Sequence, residues 1–296
     1  MLTKTGEGRS SNDLNAKDFC RIAGVMQQET GIDLPESKLP LVQARLLRRL
    51  RLLGLNTYAE YCAVIEDSRN ASERLEMVSA LTTNVTSFFR EMHHFDYLRE
   101  SCMGTLASRL KAGGAVRVWS AGCSTGEEPY SLALSFLDAI PDIARYDFKL
   151  LASDIDPTVL STATEGVYAE TALTNVSEVS RKAHFENVEG SKGLCRVRKP
   201  VKDLVSFRRL NLIAEWPMKR PFDIIMCRNV VIYFGEQTKA EIWGRLVSHL
   251  QPDGTLFTGH SERLSGSATN KMKLVGTTTY QVNSGKAAPE RNTSCH

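Results

Sequence analysis

Apolar residues recur at three- and four-residue spacing through the first third of the chain, and the period changes at Val116. Phe19, Ile22, Ala23, Val25 and Met26 predict a short amphipathic helix ending near Gly31. Leu39, Val42, Leu46, Leu50 and Leu53 form a second stripe, which predicts a helix from about Pro40 to Leu53, stopped by Gly54. Residues 57–66 and 72–81 read as two further short helices, the latter opened by Ser72 with Glu73 and Glu76. The run from Leu81 to Arg90 breaks the pattern before another helix over about 91–110. Its paired Phe and its Arg are unusual for a linker; an N-cap with a hydrophobic staple is the ordinary explanation.

From Val116 short apolar runs alternate with helical patterns, which implies a parallel sheet. Runs at 148–154, 205–210, 222–227 and 254–258 read as strands after the first, with helices at 157–164 and 237–250. Gln251-Pro252-Asp253-Gly254 is a strong turn, and the last strands, near 274–282, are expected to return antiparallel. Residues 166–203 are more chain than a helix-to-strand connection needs. Gly190 and Gly193 bound a turn there before a β-like run at 194–198, so a small β insertion at one sheet edge is expected, either as a docking element or as a cap on the edge strand.

Composition narrows the class. A hydrophobic fraction of 42% in 296 residues is ample for a core, and a net charge of +3 is too small to imply nucleic acid. No apolar run is long enough to span a bilayer, and the first residues have no signal-peptide core. The seven cysteines are scattered, odd in number and free of any C-x-x-C pair, so a reduced cytoplasmic setting is expected without disulfides or zinc. Cys123 and Cys227 read as small buried hydrophobes sooner than as catalytic thiols. Lys38, Arg45, Arg48, Arg49 and Arg51 share a helix with no acid among them. Such a face is either simply solvated or turned toward an acidic partner.

The glycine loop after the first strand carries the first chemistry. Gly122 and Gly126 allow close backbone approach to a ligand, as in a nucleotide-binding α/β unit. Glu127 and Glu128 suit a helix N-terminus but would repel a pyrophosphate, so a ligand with a cationic amine fits better. Asp154 ends the second strand, where an acid can take both hydroxyls of a ribose; a helix cap before Pro157 is its duller use. Asn211 follows the third strand and is either an amide reading an adenine edge or a turn residue.

Five segments occur in order: Thr83-Asn84-Val85-Thr86-Ser87-Phe88-Phe89-Arg90, Ser124-Thr125-Gly126-Glu127-Glu128-Pro129-Tyr130-Ser131, Ala152-Ser153-Asp154-Ile155-Asp156, Cys227-Arg228-Asn229-Val230-Val231-Ile232-Tyr233-Phe234 and Gly259-His260-Ser261-Glu262. Over about residues 15–282 the chain resembles the CheR family of chemotaxis receptor glutamate methyltransferases. The resemblance implies an α/β fold: a Rossmann-like S-adenosylmethionine (SAM) methyltransferase domain with a small β insertion, preceded by an all-helical N-terminal domain. The expected divisions are a disordered tail over 1–14, a helical domain over 15–90, a linking helix over 91–112, the methyltransferase domain over 113–283 with its β subdomain at about 166–203, and a disordered tail over 284–296.

The resemblance also implies SAM as cofactor and S-adenosylhomocysteine (SAH) as product, with no metal. Asn84, Thr86, Arg90, Glu128, Asp154, Asn211, Leu212, Arg228 and Asn229 would surround the cofactor. Arg90 and Tyr233 would face the reacting centre as the catalytic pair. Glu128, not Glu127, is chosen to hold the methionine amine. The substrate would be glutamate side chains on the cytoplasmic helical bundle of chemotaxis receptors. The basic helix would face that bundle and the β subdomain would dock on the receptor, with a receptor C-terminal tail peptide as one candidate. A cytoplasmic monomer is expected, without nucleic acid or membrane insertion.

The chemistry agrees with the residues. A glutamate side chain with a reference pKa of about 4.3 is already an anion near neutral pH, so its methylation needs no general base. The lack of a Ser-His or His-Asp arrangement is then expected, and His93, His94 and His260 read as structural or as support behind the residues that touch the ligand. Two rivals remain. A nucleic-acid amino-methylating enzyme would often carry prolines after the fourth strand, where this chain has Asn229-Val230-Val231-Ile232. A non-catalytic SAM-sensing adaptor would have no need of Arg90 and Tyr233.

Overall fold

The computed structural model describes residues 13–283. Residues 1–12 of the first expected tail and all of the second, Cys295 included, lie outside the described residues. Leu14 is described, and it is buried against the helical core.

Four helices open the chain: α1 (Ala16–Thr30), α2 (Leu39–Leu53), α3 (Tyr58–Glu66) and α4 (Ala71–Leu81). Their ends follow from local chemistry. The Asn15 side chain accepts from the Asp18 N–H at the start of α1, and Thr57 with Glu60 forms a reciprocal capping box at the start of α3. Gly31 and Gly54 close α1 and α2 in left-handed geometry. The apolar stripes meet in one core around Phe19, Ile22, Met26, Val42, Leu46, Leu50 and Tyr61. Each such side chain contributes about 1.5–3 kcal/mol on burial.

The basic face of α2 is not left without acids. Arg49 pairs with Glu73 at 2.5 Å and Glu76 at 2.9 Å, both on α4, and Tyr61 adds its hydroxyl to Glu73. Arg45 donates to the carbonyls of Leu81 and Thr82. The partners come from the third helix on, so α2 by itself could not show them. The exposed cations left on this stretch are Lys38, Arg48 and Arg51.

A loop over 82–92 leads into α5 (His93–Tyr97), a π turn (Leu98–Cys102) and α6 (Met103–Lys111). No side chain caps α5. Phe88 does not staple the helix; it is fully buried, edge-on to Tyr168 and Phe185. The main sheet then begins with β1 (Ala115–Ala121), α7 (Glu127–Ala139), β2 (Asp147–Asp154) and α8 (Pro157–Glu165). The insertion follows as β3 (Val167–Ala169), α9 (Glu178–His184), β4 (Phe185–Asn187) and β5 (Leu194–Val197), then α10 (Lys199–Lys202). Its three strands form a separate antiparallel sheet with β5 central. The chain closes with β6 (Val205–Arg209), β7 (Phe222–Cys227), α11 (Glu236–Ser248), β8 (Leu250–Thr258), α12 (Ala268–Lys271), β9 (Met272–Gly276) and β10 (Thr279–Val282).

The seven-stranded sheet runs β6-β2-β1-β7-β8-β10-β9, parallel from β6 to β8 and antiparallel at β10 and β9. The turn expected at Gln251–Gly254 is a break inside β8: opposite Phe222 and Ile224 its pairing jumps from Leu250 to Thr255. Alternation along β1 feeds two cores. Val116 and Val118 pack with Phe136 on one face, while Trp119 and Ala121 pack with Trp243 on the other. Strand order reverses between β1 and β7, which opens a crevice at their carboxyl ends.

Candidate active site

One pocket occupies that crevice. It is lined by Asn84, Thr86, Arg90, Glu128, Asp154, Asn211, Leu212, Arg228, Asn229 and Tyr233, so all ten residues expected from the sequence meet there. Gly122 lines it too, at φ 79°, and a Cβ at this position would collide with the Val230 side chain. Ser124 and Asn229 also have positive φ, as do Phe89 and Glu91 on either side of Arg90. Such conformations cost of order 1–3 kcal/mol each and gather where a site dictates the backbone.

The two acids hold distinct positions. Glu128 has a side chain 11% exposed; its Oε1 accepts from Ser120 Oγ at 2.7 Å and its Oε2 lies 3.2 Å from Arg228 Nη1. Burial raises its pKa while Arg228 and Ser120 draw it back. Glu127 lies outside the pocket lining and accepts from Thr125 Oγ1 at 2.6 Å. Asp154 takes the Ser124 N–H on Oδ2 and the Asp156 N–H on Oδ1. Capping of α8 falls to Asp156, which accepts from the Thr158 N–H and from Asn84 Nδ2. Each oxygen of Glu128 and of Asp154 thus keeps a lone pair. Ile155, Leu210, Leu212 and Phe234 add apolar surface to the lining. An ammonium at Glu128, a diol at Asp154 and a flat ring against the apolar wall are what a SAM-shaped molecule offers, and the residues fit it.

Other expected residues carry structural duties as well. The Asn211 amide donates to the Glu29 carbonyl and accepts from the Ile213 N–H, leaving one N–H and one lone pair for a ligand. Arg228 is 2% exposed at its side chain and lies between Glu128 and Glu91, 3.3 Å from the latter, while also donating to the Arg90 carbonyl. Arg90 donates to the Val85 carbonyl at 2.8 Å and stays half-buried. Tyr233 is 36% exposed at the mouth.

Part of the lining was missed in the sequence. Thr30 at the end of α1, with Ile32, Asp33, Leu34 and Lys38 between α1 and α2, forms one wall. The Asp33 N–H donates to the Tyr233 carbonyl, and Ile32 bridges Phe234. No local pattern marks these residues, because the contact joins segments two hundred positions apart in the chain. Cys123 and Cys227 are buried, and burial pushes both thiols well above their ordinary range, so neither presents a thiolate. Among the described residues, Glu91, His93 and His94 converge closely enough to ligate a metal. Arg228 already sets a fixed cation 3.3 Å from Glu91 Oε2. His94 is buried, bonded through Nε2 to Thr277 and Thr278, and burial lowers its pKa to about 3.

Comparison with known proteins gives the same picture. Residues 17–82 match the family described as CheR methyltransferase, all-alpha domain, and residues 84–281 match CheR methyltransferase, SAM binding domain. The chain belongs to the CheR methyltransferase family. A probable chemotaxis protein methyltransferase of Rhizobium etli is 47% identical over 258 residues, covering 87% of this chain and 96% of its own. Chemotaxis protein methyltransferases of Salmonella typhimurium and Escherichia coli are 41% and 40% identical, covering 93% and 91% of this chain and 93% and 92% of their own. As a CheR protein the chain is a SAM-dependent methyltransferase, with the helical domain and mostly parallel sheet that the sequence led us to expect.

Proposed function

We propose that this CheR protein transfers the methyl group of SAM to glutamate side chains of chemotaxis receptors, giving γ-methyl esters. The observation that carries the proposal is the meeting of Glu128, Asp154, Arg90 and Tyr233 in one pocket at the strand carboxyl ends. SAM supplies an electrophilic methyl on a sulfonium. Glu128 would hold the ammonium, Asp154 the ribose hydroxyls, and Arg90 and Tyr233 would orient the incoming carboxylate. Tyr233 can donate one hydrogen bond and leave the second carboxylate oxygen free to attack. Arg90 steers the anion, and its bond to the Val85 carbonyl keeps it from pairing too tightly. The acceptor arrives ionised, so no proton need move, and positioning is the enzyme's main work; well-oriented groups gain up to about 7–11 kcal/mol.

Charge and sheet edges suggest how the receptor docks. Lys38, Arg48 and Arg51 remain exposed for an acidic helical bundle. β4 pairs on one side only, with β5, so its free edge can accept an extended receptor tail peptide. We place the enzyme in the cytoplasm as a monomer; among the described residues no helix is long and apolar enough to cross a membrane.

The test is transfer of labelled methyl from SAM to receptor-containing membranes, with release of label by mild base. Esters hydrolyse under those conditions and N-methyl groups do not, so base-stable label points to the nucleic-acid type of chemistry, and SAM binding without transfer points to an adaptor. Arg90→Ala loses most transfer while SAH still binds; unchanged turnover removes Arg90 from the acceptor site.

A further inference from the structure

One of the five sequence motifs, Gly259-His260-Ser261-Glu262, contributes no residue to the pocket lining. Glu262 is nevertheless 4% exposed and stands behind the loop that follows β7. Its carboxylate takes five backbone N–H groups. Oε2 accepts from Gly259 at 2.6 Å and Asn229 at 2.8 Å. Oε1 accepts from Val230 at 3.0 Å, Val231 at 2.7 Å and Ile232 at 3.2 Å.

Four consecutive amides, 229–232, therefore point at one anion. A strand cannot do this, because its amides alternate in direction. Here Asn229 turns the chain at φ 60° and a 3-10 turn (Val231–Tyr233) follows. The result is an anion-binding nest, filled by the protein's own side chain. The approach is tight: a Cβ on Gly259 would lie 2.6 Å from the Asn229 nitrogens and 2.8 Å from Glu262 Oε2. The residue delivered at the end of this anchored turn is Tyr233, which also lines the pocket.

We propose that Glu262 is the positioning residue for Tyr233: its buried carboxylate gathers the 229–232 amides and so sets where the Tyr233 hydroxyl meets the acceptor carboxylate. The proposal rests on Tyr233 acting at the acceptor side. Glu262→Gln keeps the shape but turns an NH₂ toward backbone N–H groups that need an acceptor. Glu262→Asp keeps the charge but falls one methylene short.

A double-mutant cycle on the full chain separates this from a general loss of stability. Methyl transfer to receptor-containing membranes is measured at saturating SAM for wild type, E262Q, Y233F and the double variant, with SAH affinity measured by calorimetry on each. E262Q lowers kcat by about 10- to 100-fold, the scale of an ångström-sized misplacement, and lowers SAH affinity by much less. The double variant is no slower than the slower single one, because the misplaced hydroxyl is already gone. Losses that multiply in the double variant, an unchanged kcat in E262Q, or an SAH affinity that falls as far as kcat overturn the proposal. An unchanged kcat in Y233F alone instead overturns the role of Tyr233 beneath it. Where E262Q is recovered unfolded, the same cycle with Glu262→Asp decides, with a smaller loss of the same kind expected.

Discussion

Glu127 and Glu128 are adjacent acids in the first turn of α7, and one substitution at each decides which of them the cofactor amine meets. Glu128 has two of its four acceptor sites filled, by Ser120 Oγ and Arg228, and its side chain is 11% exposed. A charge-assisted hydrogen bond in such surroundings contributes about 1.5–3 kcal/mol, which is about 10- to 150-fold in affinity. Glu128→Gln keeps the volume and can still accept from Arg228, which also retains Glu91. The fold should therefore survive while SAH binding weakens by that factor. Glu127→Gln, away from the pocket and tied to Thr125, should change SAH affinity by less than about threefold, or ~0.7 kcal/mol. Calorimetry with two ligands makes the test specific. 5′-Methylthioadenosine has the nucleoside but no amino-acid portion, so its affinity should be equal in wild type and E128Q. An equal loss for both ligands, or a larger loss in E127Q, refutes the assignment.

Other outcomes follow from the same geometry. Tyr233→Phe should lower turnover more than SAM affinity; equal losses in both mean that the ring only shapes the pocket. Arg49→Met strands the Glu73 carboxylate, 8% exposed at its side chain, and should cost about 2–3 kcal/mol in urea unfolding, with Arg48→Met changing stability by less than about 0.5 kcal/mol. His94 has its pKa lowered to about 3 by burial, so between that value and the ordinary 6.5 the unfolded chain binds the extra proton. Its contribution to stability is therefore lost as pH falls, by about 2 kcal/mol from pH 7.5 to 5. Urea unfolding at the two pH values should show a smaller difference in His94→Gln than in wild type; the same difference in both would refute this.

What the sequence made legible was mostly local. The glycine loop, the strand ending at Asp154 and the segment from Arg228 to Tyr233 each carry their signal within a few residues, and all three reach the pocket. Relations between distant segments were not legible. The acids that meet Arg49 lie 24 and 27 positions downstream, so the cationic stripe of α2 looked uncompensated. Asp154 and Asp156 stand at the same strand end, and only the Thr158 N–H shows which of them caps α8. Phe88 reads as a helix staple because the rings that bury it, Tyr168 and Phe185, belong to the later insertion. Glu262 stands in a recognisable motif, but its purpose depends on a turn folded about thirty residues earlier.

The pocket draws its walls from both parts of the chain, and the Asn211 amide ties them across 182 positions to the carbonyl of Glu29. A molecule seated there works as a rivet. Excising the first eighty residues would strip away Thr30, Ile32, Asp33 and Leu34 along with the helices, leaving a sheet with a gutter where a chamber had been. Ligand-bound chains should accordingly melt in one step at a higher temperature, and a protease that nicks the α1–α2 connection should release the nucleoside before it disturbs a single strand.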